Sequence, residues 1–123
     1  MRVQVATITA LALAGCSQTG TSPDASTPPI ACAGASYYSD SLAGNPTASG
    51  VPYDPAKLTA AHRTLAFGTK LRVVREGFGD VIVTVNDRGP FVDGRIIDLS
   101  RAAAERINMI RVGVADVCLY PVG

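Results

Sequence analysis

Val83-Thr84-Val85-Asn86-Asp87-Arg88-Gly89-Pro90-Phe91 is an apolar alternation that stops abruptly in Asn-Asp-Arg-Gly-Pro. The pattern predicts a strand that runs into a loop tipped by a carboxylate, a guanidinium and two residues that punctuate the backbone. A few residues later Gly94-Arg95-Ile96-Ile97-Asp98-Leu99-Ser100 repeats the design, ending in Asp-Leu-Ser at the start of a helix. Two strand ends, each carrying an Asp, form a candidate acid/base site.

Working outward, the neighbouring segments are also β-rich. Ala35 to Tyr38 and Leu58 to Ala61 are short strand candidates. Lys70 to Arg75 and Val81 to Val85 flank Glu76-Gly77-Phe78-Gly79-Asp80 and predict a hairpin. Arg95 to Leu99 is a further strand, and Val114 to Tyr120 alternates as the last one. Ser100 is a good N-cap for a short helix of strong formers over Arg101 to Ile107. Ser39 to Pro55, with Gly44, Pro46, Gly50, Pro52 and Pro55, predicts a long loop, and such a loop in a small domain is usually functional or mobile. Together these predict a small closed β structure with one helix, its topology left open by periodicity.

Composition narrows the function. The chain has 123 residues, a formal charge of +1, one His and three Cys. No basic run suggests a nucleic-acid face. A single His, His62, rules out a multi-His metal site, and no C-x-x-C spacing suggests structural zinc. Neither a metal nor a cofactor is expected.

The N-terminus reads as a targeting segment. Val3 to Ala14 is small or apolar with few interruptions, too short for a span but suited to a signal h-region. It ends in Leu13-Ala14-Gly15-Cys16, which matches the bacterial lipoprotein cleavage box with Cys16 as the lipidated residue. An ordinary signal peptide with a chance Cys is the other reading. Ser17 follows the Cys where Asp would signal retention at the inner membrane, so the expected location is the outer membrane, facing the periplasm, where the cell has one. Residues 1–15 are thus the expected signal peptide and 16–32 a flexible Ser/Thr/Pro-rich tether. Residues 33–121 form one small domain. Export places Cys32 and Cys118 in an oxidising compartment, and with Cys16 lipidated the remainder is even. A Cys32–Cys118 bridge is expected, against the alternative of two unpaired buried thiols.

Six segments in order resemble the rare lipoprotein A (RlpA) family: Ala35-Ser36-Tyr37-Tyr38, Thr47-Ala48-Ser49-Gly50, Leu58-Thr59-Ala60-Ala61-His62-Arg63-Thr64-Leu65, Phe67-Gly68-Thr69, Asn86 to Phe91 and Gly94 to Ser100. The resemblance implies a six-stranded double-psi β-barrel, akin to expansin and barwin domains. It implies a peptidoglycan substrate, lytic transglycosylase activity, and here a barrel without the C-terminal SPOR domain that RlpA proteins often carry. A non-catalytic glycan-binding or expansin-like wall-loosening module is the alternative. The expected partners are glycan strands and, through the lipid, a membrane, with the protein a monomer and no nucleic acid bound.

Lytic transglycosylation needs one carboxylic acid. It protonates the glycosidic oxygen, then takes the proton of the muramic acid C6 hydroxyl as that oxygen attacks C1. No catalytic water is required, so the two-carboxylate spacing of ordinary glycosidases does not apply. The resemblance points to Asp87 as this group; a turn residue or an ion-pair partner of Arg88 is the bland reading. Asp98 is the second candidate, set against a local role at the strand-to-helix junction. His62 falls in the family's Thr-Ala-Ala-His setting, where it would orient Asp87 or hold a sugar hydroxyl. Tyr38, Ser49 and Arg88 are the expected glycan contacts; alternation turns one of Tyr37 and Tyr38 inward. One departure stands out. The family pattern reads Ser-Gly-Glu where this chain has Ser49-Gly50-Val51, and valine transfers no protons.

Overall fold

A computed structural model describes residues 27–123. The signal peptide, Cys16 and most of the expected tether lie outside the described residues. Six strands close a barrel: β1 Ala31–Tyr37, β2 Thr59–Ala61, β3 Lys70–Arg75, β4 Gly79–Asp87, β5 Arg95–Leu99 and β6 Ala115–Pro121. The order around the barrel is β1-β5-β2-β4-β3-β6. β1 runs parallel to β5, and β2 parallel to β4; the other neighbours are antiparallel.

Alternation decides which side chains go inside. Leu71 and Val73 of β3, Val83 and Val85 of β4, and Ile97 and Leu99 of β5 are fully buried. Each such side chain contributes about 1.5–3 kcal/mol by leaving water. Between Leu71 and Val73, Arg72 turns out to pair with Asp80 across the hairpin. The β3–β4 turn is tighter than the sequence suggests: Arg75 already pairs with Gly79, leaving three residues outside the ladder. Gly79 has φ +141°, and an added Cβ would stand 2.9 Å from the Arg106 carbonyl, so this close approach of hairpin and helix requires glycine.

Ser100 starts the helix α1, Arg101–Arg106. Its buried hydroxyl accepts from Ala103 N and Thr59 N and donates to the Lys57 carbonyl at 2.5 Å, tying helix, β2 and the preceding loop together. Ala103, Ala104, Ile107 and Met109 pack the helix and its exit into the barrel core.

β1 begins at Ala31, so Ala31 and Cys32 belong to the barrel rather than to the tether. Cys32 is in register with Cys118 of β6, with Cα atoms 4.0 Å apart, and the two are disulfide-bonded.

Candidate active site

β2 is only three residues long, and its Ala60 and Ala61 are buried. Ala61 pairs with Asp87 on one side, in the parallel ladder with β4. On the other side it pairs with Asp98, in the antiparallel ladder with β5. Asp98 in turn pairs with Ser36 of β1. Ser36, Asp98, Ala61 and Asp87 therefore form one row across four strands. Strand spacing puts the two Asp backbones about 10 Å apart.

Both carboxylates line a cleft of 350 Å³ together with Ser36, Tyr38, Arg88 and Arg95. A second cavity of 180 Å³, bounded by Asn45, Thr47 and Tyr53, shares Tyr38, Leu42 and Asp87 with it. A larger cavity of 420 Å³ sits beside the disulfide, lined by Val74, Glu76 and Tyr120 among others; it shares no lining residue with the other two.

Asp87 is held by three donors. The Tyr38 hydroxyl donates to Oδ2. The backbone N–H groups of Ala48 (2.8 Å) and Arg88 (2.9 Å) donate to Oδ1. Asp98 Oδ1 accepts the Ser36 hydroxyl. Burial and the adjacent Asp87 carboxylate push the Tyr38 phenol far above its ordinary range, so at neutral pH it remains a hydroxyl and a donor.

The Ala48 donor comes from the long loop, which is ordered. Gly44 N donates to Tyr53 O and Tyr53 N to Asn45 O, each at 2.8 Å, and Thr47 closes the tip on the Val51 carbonyl through both N–H and hydroxyl. Ser49 N then docks this tip on Asn86 O at 3.2 Å.

The other expected residues are placed as follows. Arg88 lines the cleft, but its guanidinium turns away from the Asp87 carboxylate. It donates to the carbonyls of His62 (3.2 Å) and Leu65 (2.7 Å) and lies over the Phe67 ring, 4.1 Å from its centroid. His62 is bonded to Asp87 through the main chain, its N–H donating to Asp87 O at 3.1 Å. Its Nδ1 accepts from Thr64 N and Leu65 N, both at 3.1 Å, so the ring closes its own turn rather than orienting the Asp87 carboxylate. Burial, then Arg88 and Arg63, push its pKa down. Tyr37 packs against the core and donates to Ile110 O at 2.7 Å, leaving Tyr38 as the tyrosine at the carboxylate. The Ser49 hydroxyl bonds that of Thr47 at 2.8 Å, and Val51 is exposed at the loop tip. Sequence reasoning passed over Tyr53, which stacks on Tyr38 with centroids 4.4 Å apart. As the large aromatic of a Gly/Pro-rich loop, it was the signal available.

The arrangement presents an oriented carboxylate, backed by a phenol, at the wall of an open polar cleft. Such a group can transfer a proton to and from a bound polymer.

The chain matches the family model described as lytic transglycolase over residues 30–119. It is 50% identical over 92 residues to a probable endolytic peptidoglycan transglycosylase RlpA of Nostoc sp., covering 72% of this chain and 25% of that one. It is 51% identical over 76 residues to the endolytic peptidoglycan transglycosylase RlpA of Yersinia pestis, covering 61% and 21%. The chain thus spans about a quarter of the length of these relatives. In fold it is similar to an aspartate-to-asparagine mutant of Clavibacter michiganensis expansin in complex with cellohexaose, with TM-score 0.61, 20% identity, and coverage of 75% and 50%. It is also similar to the Streptomyces papain inhibitor, with TM-score 0.59, 24% identity, and coverage of 77% and 96%. Barrel order and the extent of the match agree: the chain belongs to the lytic transglycolase family and has its double-psi β-barrel fold.

Proposed function

We propose that this domain cleaves peptidoglycan glycan strands as a lytic transglycosylase, with Asp87 as the acid/base group. The observation that carries the reading is the Asp87 carboxylate held by three donors at the wall of the cleft it shares with Asp98. The names of the relatives support the substrate class.

In the first half of the reaction the Asp87 carboxylic acid gives its proton to the glycosidic oxygen, and the C1–O bond breaks. In the second half the Asp87 carboxylate takes the proton of the C6 hydroxyl, whose oxygen bonds to C1 and closes the 1,6-anhydro ring. Asp87 ends as it began, and no water is consumed. The Tyr38 hydroxyl stays a donor to Oδ2 and two backbone N–H groups occupy Oδ1, which leaves the proton exchange to the second lone pair of Oδ2. Lipidation at Cys16 would hold the domain at the outer membrane, facing the wall.

Full-length protein incubated with sacculi should release anhydro-muropeptides, identified by mass spectrometry. A second reading is a glycan-binding or wall-loosening module, favoured by Val51 where the family pattern has Glu. It would appear as co-sedimentation with sacculi and no anhydro product.

A further inference from the structure

Tyr53 is 3% exposed, yet it is not part of the hydrophobic core inside the barrel. Its ring is buried outside that core, stacked on Tyr38 at an interplanar angle of 23°. Its hydroxyl accepts from the N–H of Arg101, the first residue of α1, at 3.0 Å. Its backbone is pinned twice in the loop hairpin, to Gly44 and Asn45. The partner ring, Tyr38, ends in the hydroxyl that donates to Asp87. A hydrogen bond fixes where the Tyr38 oxygen sits but leaves the ring free to pivot about it; a flat ring packed on one face removes that freedom. Stacked aromatic pairs add to burial through their geometry.

We infer that Tyr53 is a positioning residue, whose ring and tie to the start of α1 hold Tyr38, and through Tyr38 the Asp87 carboxylate. The inference rests on the transglycosylase reading for its effect on rate. A contact running from a helix end through two stacked rings to the acid/base group is a geometry for orienting that group, and small displacements of such groups lower rates strongly.

The test is a double-mutant cycle in the full chain, with anhydro-muropeptide release as readout. Tyr53→Leu should lower kcat about tenfold with KM little changed. Tyr53→Phe, which keeps the stack but loses the tie to Arg101 N–H, should fall between Tyr53→Leu and the wild type. In a Tyr38→Phe background, Tyr53→Leu should lower kcat no further, because residues acting through one another are not additive. Additive losses, or a loss that follows thermal stability alone, would overturn the inference. If Tyr53→Leu does not fold, Tyr53→Met carries the same expectation. A readout independent of turnover is the flip rate of the Tyr38 ring, read from NMR line shapes of protein with labelled tyrosine. The Tyr38 ring should flip faster in Tyr53→Leu, since the covering ring is gone, and an unchanged flip rate would overturn the coupling. Absence of anhydro product from the wild type would defeat the transglycosylase reading alone, leaving the ring-flip rate to decide whether Tyr53 holds Tyr38.

Discussion

Asp87 and Asp98 meet the same residue from opposite sides: Ala61 pairs with Asp87 in a parallel ladder and with Asp98 in an antiparallel one. The shortest strand of the barrel is therefore the spacer between the two candidate carboxylates. Its alanines add no bulk to the wall between them.

The two carboxylates should separate by mutation. Asp87→Asn is expected to lower anhydro-sugar release roughly 10²–10⁴-fold, the usual contribution of a general acid/base group, while co-sedimentation with sacculi is kept. Asp98→Asn, which disturbs one bond to Ser36, should lower it less. Full activity of Asp87→Asn would move the acid/base role to Asp98.

Val51 lies 53% exposed on the loop tip whose Ala48 N–H holds Asp87. Val51→Glu should raise the rate of anhydro-sugar release and leave the melting temperature nearly unchanged, since an exposed valine gives up little packing. An unchanged rate would mean that Asp87 works without a second carboxylate at that position.

His62 should make the fold sensitive to mild acid. Its folded pKa lies below the ordinary 6.5, so the unfolded chain binds the proton more readily. Stability from this residue is then complete above about pH 6.5 and is lost as pH falls from there through the lowered value. Protonation at Nδ1 would also break the bonds from Thr64 and Leu65. Urea unfolding between pH 7.5 and 5.5 should show falling stability in the wild type and a flatter profile in His62→Ala.

Ser100→Ala should destabilise the fold by about 1–3 kcal/mol, through a lost cap and buried groups left without partners. Urea unfolding measures it. A change under 0.5 kcal/mol, the ordinary range for an unremarkable surface site, would mean that water replaces the hydroxyl.

Reduction of the Cys32–Cys118 bond, which closes a sequence separation of 86 residues, should cost about 4.6 kcal/mol by loop-closure entropy. Unfolding with and without reductant, compared with a Cys32→Ala/Cys118→Ala variant, measures the difference.

Much of this was legible in the chain. Alternation at Leu71 to Val73 and Val81 to Val85 marks strands, because one face of each must enter the core. The cap at Ser100 marks the helix start for the same local reason. The six family-like segments carried the closed barrel, which periodicity left open. What stayed hidden depends on distant pairing. Three-residue β2 is too short to show a period, and nothing in its letters reveals that Ala61 lies between two aspartates. The turning of Arg88 toward Phe67 and of His62 toward Thr64 depends on neighbours brought in by folding. The loop of Ser39 to Pro55 read as irregular because its hairpin is built around Pro46 and Pro52, residues that argue against strands.

The pairing of β1 with β6 has a mechanical consequence. Ala31 faces Leu119 and Cys32 faces Cys118, so the chain enters and leaves the barrel side by side, at the end of β1 opposite Tyr37 and the cleft. Tension between the two ends would peel these strands apart like a zipper, one rung at a time, the weakest direction for a ladder of hydrogen bonds. The peel halts at the second rung, where it meets a covalent bond. Force that reaches the domain through its flanking segments passes across the disulfide, and the cleft on the far side does not feel it.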